Sequence, residues 1–248
     1  MREKAILVDI SKCIACRGCQ VACKQWNKLS AESTKNRGSY ENPPALSENT
    51  LTRIIFQEVS DGKNLKWFFR KEQCMHCSKA ACLELCPSDA IYKNQFGSIM
   101  LDSRKCIGCG VCEKFCPFHI PRINHTTHKA IKCSLCNDRV ANGMQPACVK
   151  TCPTGALKFG FRDDILSSAH SKMNKSKKMY LYGENELGGL HIIYLLTQSP
   201  AIFNLPKHPT IPNPFEAYAF LMEKLNSELL NQNVLTIAAL KYFGHIHA

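Results

Sequence analysis

The chain has 248 residues, a formal net charge of +12 and 16 cysteines, far more than an ordinary protein of this length contains. The length suits one large domain or two small ones. No apolar stretch approaches the roughly 18–20 residues that cross a bilayer as a helix, and no signal-peptide pattern precedes the first cysteines. The sequence therefore predicts neither a membrane span nor a targeting signal of its own.

The first predicted element is a short apolar strand that runs directly into a group of cysteines. The stretch "ILVDISKCIACRGC" at 6–19 aligns with "IMLDSRKCIGCGVC" at 99–112. Each copy has an apolar strand, an aspartate, a lysine and then the pattern C-I-x-C-x-x-C. Self-similarity of this kind indicates a duplicated unit.

Four cysteine motifs share one pattern, in which three closely spaced cysteines are followed by a fourth. The second and fourth motifs contain insertions, and proline follows the last cysteine in every motif except the first, where Lys24 follows it. The sequence offers no account of that lysine. The motifs comprise Cys13, Cys16, Cys19 and Cys23; Cys74, Cys77, Cys82 and Cys86; Cys106, Cys109, Cys112 and Cys116; and Cys133, Cys136, Cys148 and Cys152.

This spacing favours iron–sulfur clusters. Tight C-x-x-C groups more often bind soft metals than form disulfides. In the bacterial ferredoxin pattern, three cysteines of one motif bind one [4Fe–4S] cluster and the fourth binds its neighbour. Zinc is the alternative, but zinc sites use two ligand pairs without the third close cysteine and the C-x3-C-P ending. We therefore predict four fully ligated [4Fe–4S] clusters and a role in electron transfer, with no catalytic residue in this chain.

The short linker between the second and third motifs predicts that they pair as an inner two-cluster unit over residues 74–117. The first and fourth motifs then pair across the chain. The rival pairing, of the third and fourth motifs, stays open at this point. The predicted ligand sets are Cys13, Cys16, Cys19 and Cys152; Cys23, Cys133, Cys136 and Cys148; Cys74, Cys77, Cys82 and Cys116; and Cys86, Cys106, Cys109 and Cys112.

The positive charge has an internal explanation if the clusters are present. Sixteen thiolates around four cores of about 2+ each would reduce the net charge to about +4. No basic run is interleaved with aromatic residues, so we expect no nucleic-acid partner. Two histidines lie beside cysteines, His76 in "CMHC" and His119 in "CPFHIPR", and we expect both near the clusters or at the surface rather than as ligands.

The remaining segments predict an α+β fold with two ferredoxin-like two-cluster units, a β-hairpin insert and an extended, helical C-terminal arm. The body spans 1–162, and the insert at 24–73 contains "RIIFQEV" and "LKWFFRKE" around Asp61 and Gly62, with Trp67 in the core. Residues 163–248 form the extension, whose first helix is capped by Asp163 or Asp164.

Strands are predicted at "MYLYG" and "GLHIIYLLT", followed by a proline-rich linker over 206–214. A final amphipathic helix then either docks on its own body or binds a partner. Its apolar positions, three and four residues apart, are Phe215, Tyr218, Met222, Leu225 and Leu229. No dinucleotide or nucleoside-triphosphate loop is recognisable.

The motifs resemble those of the iron–sulfur (beta) subunits of formate dehydrogenases, a family of four-cluster electron-transfer subunits that serve molybdopterin oxidoreductases. The matching stretches include "CIACRGCQVACKQWN", "CMHCSKAACLELCPSDAI", "CIGCGVCEKFCPFHIPR" and "KCSLCNDRVANGMQPACVKTCPTGALKFG". "GGLHIIYLL" and "LPKHP" resemble the formate-type subunit in particular. The resemblance covers most of residues 5–210.

The resemblance implies the first–last and second–third pairing of motifs. It also implies a large catalytic subunit with a molybdenum or tungsten pterin site, and a cytochrome b or quinone-linked subunit or a soluble carrier downstream. Membrane-bound members carry a C-terminal spanning helix, for which residues 215–248 are too polar, so a soluble or peripheral complex is expected. The periplasm, reached as a passenger on a twin-arginine-exported partner, is favoured, with the cytoplasm as the alternative.

Three alternatives remain open from the sequence. The chain could be the equivalent subunit of another molybdopterin reductase, or of a hydrogenase, or it could be a free polyferredoxin that shuttles between enzymes.

Overall fold

The computed structural model describes residues 2–60, 62, 64–176, 178–226 and 232–244, and over these ranges the chain mixes short helices with several small sheets. The strands are Lys4–Asp9 (β1), Thr52–Ser60 (β2), Leu65–Gln73 (β3), Ile91–Lys93 (β4), Ile99–Leu101 (β5), Arg122–Asn124 (β6), Lys129–Ile131 (β7), Leu157–Phe161 (β8), Tyr180–Tyr182 (β9) and Ile192–Leu196 (β10). The α-helices are Gly18–Trp26 (α1), Ala81–Glu84 (α2), Val111–Lys114 (α3), Asn137–Ala141 (α4), Ala147–Lys150 (α5), Arg162–Asn174 (α6), Pro214–Asn226 (α7) and Gln232–Phe243 (α8).

The largest sheet has four strands in the order β8-β1-β10-β9. Strand β1 pairs antiparallel with β8 and parallel with β10. The inner strands are near-continuous apolar runs because both of their faces are covered, and every residue of β10 is buried. The sheet therefore holds three distant parts of the chain together: its start, the segment after the fourth cysteine motif and the predicted strands near residue 190.

The two faces of the central sheet have different neighbours. Successive side chains of a strand point to opposite faces. Ala5 and Leu7 pack on one face against helix α6, whereas Ile6 and Val8 pack on the other face in the apolar cluster that contains Cys19. Strand β1 thus packs against the cysteine-rich side of the molecule through one of its faces.

Helix α6 begins at Arg162, so the prediction that Asp163 or Asp164 caps it is wrong. Phe161 occupies the N-cap position without a side-chain hydrogen bond, because strand β8 ends at the residue just before the helix. Both aspartates lie in the first turn, where negative charge interacts favourably with the helix dipole. Asp164 also accepts a hydrogen bond from Arg2 at 2.7 Å.

The predicted hairpin in the insert forms from β2 and β3, which pair antiparallel from Thr52 opposite Gln73 to Ser60 opposite Leu65. Gly62 lies at the tip with a φ of +86°, and Asp61 falls outside the described residues. The base of the hairpin is buried and its tip is exposed. Trp67 was expected in the core, but it is 41% exposed and lies 4.9 Å from the ring of Tyr40.

Lys24 has a structural explanation. Helix α1 continues past the fourth cysteine of its motif, Cys23, and ends at Trp26. Proline at position 24 would remove a backbone donor and clash with the preceding turn. In the other three motifs the short helix ends before the fourth cysteine, which the proline then follows. The Lys24 ammonium also donates hydrogen bonds to the carbonyls of Ser30 and Asn49, which anchors the start of the insert.

Helices α7 and α8 pack against the inner part of their own chain. Ala217 and Leu221 of α7 are fully buried in an apolar cluster with Leu85 and with Val111 of α3. The Lys241 ammonium of α8 donates to the Cys86 carbonyl at 2.6 Å. The two helices therefore cover the surface around the second and third cysteine motifs.

The buried face of α7 follows the predicted apolar series only in part, because Tyr218 packs against the apolar cluster whereas Phe215 and Met222 do not. Phe215 is 62% exposed and Met222 is 38% exposed, whereas Ala217 is buried. The Leu225 side chain and Leu229 lie outside the described residues. Among the described helices, none combines the length and the apolar character that crossing a membrane requires.

Gly97, in the turn between β4 and β5, is expected to be required for stability. Its φ is +84°, and an added Cβ would overlap the ring of His191, next to the central sheet. Gly97→Ala combines left-handed strain of about 1–2 kcal/mol with an overpacking cost of about 1–3 kcal/mol. Its apparent unfolding temperature under nitrogen should fall clearly below that of Gly143→Ala, where φ is +72° but no atom lies within 4 Å. Equal losses in the two variants would contradict the close contact.

Candidate metal centres

None of the cysteines, all of which lie in the described part of the chain, forms a disulfide. Most are buried or half-buried, and Cys16 is the exposed member of the set. Thiols that are both unpaired and enclosed in close groups are suited to bind soft metal ions as thiolates.

One small cavity is lined by Cys13, Cys16, Cys19 and Cys152, with mostly apolar side chains completing the wall. The pairing of β1 with β8 explains this meeting of the first and last motifs. Val8 lies opposite Leu157 in the sheet, and each is five residues from its cysteine, Cys13 or Cys152. The loops that leave the two strands at the same end of the sheet therefore converge.

A second cavity is lined by Cys23, Cys133, Cys136 and Cys148. Helix α1, which carries Cys23, packs against helix α5, which carries Cys148. Cys23 thus lies with cysteines that are more than a hundred residues further along the chain.

A third cavity is lined by Cys86, Cys106, Cys109 and Cys112, and its other walls are mainly apolar. The backbone N–H of Ala130, in strand β7, donates to the Cys106 sulfur at 3.3 Å. The short hairpins that link the motifs therefore supply both apolar wall and sulfur-directed donors.

The remaining cysteines, Cys74, Cys77, Cys82 and Cys116, also lie close to one another. Burial first, and then repulsion from the other three sulfurs, raises the pKa of Cys77. The Lys132 ammonium lies 3.9 Å from the Cys74 sulfur. This group is accordingly a fourth centre of buried sulfur with a cation beside it.

Burial raises the pKa of several of these thiols in the absence of a metal. It raises the pKa of Cys19 and of Cys23 to about 12, and that of Cys109 and of Cys116 to about 11. A thiolate in such surroundings needs a compensating positive charge. Metal ions supply that charge and replace the protons, which couples binding to deprotonation.

A donor without an acceptor shows that the Cys23 cavity fits a sulfur-rich anionic group. Gln73, which is 2% exposed and lines the Cys23 cavity, has no partner for its Nε2 among the described residues. The same holds for Nε2 of His76, a fully buried ring whose Nδ1 accepts the Ile99 N–H at 3.1 Å. A buried donor left unpaired costs about 1–3 kcal/mol. Sulfurs of a bound iron–sulfur cluster are acceptors of the type such donors need.

The comparisons with known proteins identify the metal group. Residues 12–90 and 65–162 each match a family described as 4Fe-4S dicluster domain. The iron–sulfur subunit of the nitrate-inducible formate dehydrogenase of Escherichia coli is 43% identical, over 84% of this chain and 74% of the relative. The chain belongs to the family of formate dehydrogenase iron–sulfur subunits. Members of this family are electron-transfer subunits with [4Fe–4S] clusters, and catalysis takes place on a separate subunit.

Two further relatives show how broadly this similarity extends. The formate dehydrogenase-O iron–sulfur subunit of Escherichia coli is 41% identical, over 84% of this chain and 73% of the relative. Formate dehydrogenase 2 subunit beta (cytochrome c-553) of Nitratidesulfovibrio vulgaris is 38% identical, over 79% of this chain and 94% of the relative. The resemblance that the cysteine motifs predict is thus confirmed.

Sequence reasoning missed the polar residues beside the sulfurs. Lys71, Gln73 and Lys132 are all buried near cysteines, although lysine and glutamine are usually surface residues. Lys71 and Gln73 are two positions apart on β3, just before Cys74, so strand alternation could have placed them on one face. His119, by contrast, lies at the exposed surface. This is one of the two positions that the sequence predicts for it, near the clusters or at the surface.

Leu221 is expected to shield the Cys109 side of the third cavity. Leu221→Ala removes a fully buried side chain from the cluster that contains Cys109, at a cost of about 2–5 kcal/mol. We expect a lower apparent unfolding temperature and faster loss of visible absorbance in air. Met222→Ala, on the exposed side of the same helix, is the matched control and should behave like the wild type. Equal air stability of all three proteins would contradict this shielding.

Proposed function

We propose that the chain holds four [4Fe–4S] clusters, one in each group of four cysteines. The observation that carries this proposal is that each of three cavities is lined by four cysteines, three from one motif and one from another. The cavities support the pairing of the first motif with the fourth, rather than of the third with the fourth. The proposed ligand sets are Cys13, Cys16, Cys19 and Cys152; Cys23, Cys133, Cys136 and Cys148; Cys74, Cys77, Cys82 and Cys116; and Cys86, Cys106, Cys109 and Cys112.

The protein's own residues would determine how these centres behave. When bound, [4Fe–4S] clusters take up and release electrons one at a time. Four cysteines for each cluster leave no vacant ligand position for a substrate. The apolar cavity walls exclude water, while N–H donors such as that of Leu135, 3.3 Å from the Cys133 sulfur, stabilise negative charge on sulfur.

We further propose that the electrons come from formate, oxidised on a large catalytic subunit with a molybdenum or tungsten pterin site. The names of three relatives, each an iron–sulfur or beta subunit of a formate dehydrogenase, support this source. A cytochrome b or quinone-linked subunit or a soluble carrier would then accept the electrons. The name of the Nitratidesulfovibrio vulgaris relative includes a cytochrome, cytochrome c-553.

The C-terminal arm is proposed as a contact surface for one of these partners. Its inner side packs on the chain's own second and third motifs. Its outer side exposes Phe215, Met222, Ile237 and Leu240. Phe215 and Met222 are seven residues apart and Ile237 and Leu240 three apart, so each helix has an exposed apolar face, and such faces favour an interaction site.

The ligand sets can be tested by the iron content of anaerobically purified variants. The wild type should contain about sixteen irons with matching sulfide, and each Cys→Ser substitution should remove up to about four. Cys23→Ser combined with Cys148→Ser should lose no more iron than either single variant, because both residues serve one cluster. Cys16→Ser combined with Cys148→Ser should lose twice as much, since the effects of independent sites add. The opposite additivity would overturn this grouping, and a colourless, iron-free wild type would overturn the clusters themselves.

The electron source can be tested on the complex with the co-expressed catalytic subunit. Anaerobic addition of formate should bleach the visible absorbance of this chain's clusters, as dithionite does. Acetate is the control, because it is a carboxylate with no hydrogen on its carboxyl carbon to be oxidised. The clusters of the complex incubated with acetate should stay oxidised. Clusters that respond to dithionite but not to formate would contradict formate as the source.

A further inference from the structure

Lys71 lies between two of the cysteine-lined cavities. Among the described residues, it is the one that lines both the Cys13 cavity and the Cys23 cavity. It is 1% exposed, and its backbone carbonyl accepts a hydrogen bond from the hydroxyl of Tyr194 at 2.6 Å. Strand β3 of the hairpin is thereby fixed to the central sheet at the residue that separates the two sites.

The Lys71 ammonium is held by neutral oxygens. It donates to the hydroxyl of Thr52 at 2.7 Å and to the side-chain carbonyl of Gln73. In the described part of the chain, no carboxylate forms an ion pair with it. A buried ammonium without an opposite charge is strongly unfavourable. Its compensating charge must therefore come from the sulfur groups on its two sides.

The surrounding thiolates can provide that compensation. Burial by itself lowers the pKa of Lys71, but the nearby sulfurs of Cys148, Cys19, Cys133 and Cys23 outweigh burial and raise it. These cysteines belong to both cavities. Four thiolates around a core of about 2+ carry a net charge of about −2, so a cluster on each side would give the ammonium two anionic neighbours.

The electrostatic consequence follows from the sign of the charges. One-electron reduction makes a cluster more negative by one unit. A fixed cation stabilises the reduced form more than the oxidised form, and its effect is large in a water-excluded interior. A cation between two clusters acts on both, whereas a cation beside one cluster acts mainly on that one.

We propose that Lys71 is a positioning residue that raises the reduction potentials of the two clusters in the Cys13 and Cys23 cavities together. This inference rests on the proposed function, because it requires clusters in both cavities. Lys71 would thereby favour electron occupancy of these two clusters over the other two. Its hairpin would then influence electron transfer, although it provides no cluster ligand.

The test is a redox titration of the full chain, purified anaerobically and followed by electron paramagnetic resonance, with iron and sulfide measured first. In Lys71→Met, two of the four one-electron midpoints should fall by at least about 59 mV, a tenfold change in the equilibrium between oxidised and reduced cluster. The other two should stay in place. Lys71→Arg keeps the charge and should restore the wild-type midpoints, which a purely structural role does not require.

Lys66→Met is the matched control, because Lys66 is an exposed lysine on the same strand. It should leave all four midpoints unchanged. Unshifted midpoints in a Lys71→Met protein that retains its iron would overturn the inference while leaving the proposed clusters intact. A wild-type protein without iron and sulfide would instead overturn the proposed function.

Gln73→Glu provides a second variant if Lys71→Met does not retain its clusters. The substitution keeps the size of the side chain and sets a carboxylate against the Lys71 ammonium, which cancels its charge. The midpoint of the Cys13-cavity cluster, identified as the signal missing from Cys16→Ser, should fall, although Gln73 does not line that cavity. An unchanged midpoint there would overturn the inference.

Discussion

The antiparallel pairing of β1 with β8 is the interaction on which the rest of this structure depends. It aligns Val8 with Leu157, and so brings the first cysteine motif beside the last one across most of the chain. The apolar run of β10 then closes the sheet on the other side of β1. Sulfurs from distant motifs must surround the same small cavities. The central sheet therefore determines whether the two sites shared by the first and fourth motifs form at all. A core that contains several cysteine sulfurs also links folding to metal binding, since empty cavities leave protonated thiols and unpaired donors in the interior.

The inner pair of sites, formed by the second and third motifs, is enclosed differently from the outer pair, formed by the first and fourth motifs. Helices α7 and α8 cover the inner motifs from outside, while the insert hairpin covers the outer motifs with β3. The insert is longer than any connection between the other motifs, and it is the segment that supplies Lys71 and Gln73 to the interior. An insertion that looks peripheral in the sequence is therefore one of the main determinants of the electrostatic environment of two sites. Lys24 belongs to the same arrangement, because it allows α1 to continue and anchors the loop that leads into the hairpin.

Charge balance explains several features that a purely apolar core would not contain. Lys71, Lys132 and His76 are all buried near cysteines, where positive charges and N–H donors oppose the negative charge of metal-bound thiolates. Lys71 and Lys132 thus direct two of the chain's positive charges inward rather than toward an external anion.

The sequence alone determined the metal chemistry, the family and the main strands. Cysteine spacing is a local property, and the apolar runs of β1 and β10 and the hairpin of β2 and β3 have periodicities that short segments reveal. It did not determine the start of α6, the exposure of Trp67 or the buried face of α7, because each depends on which surface another segment covers. Nor did it reveal Lys71, since lysine is ordinarily a surface residue and only the meeting of two distant pairs of motifs creates a place where a buried cation is stable. The tertiary structure decided these points because burial and electrostatic compensation are properties of neighbours in space, which the order of residues along the chain does not specify.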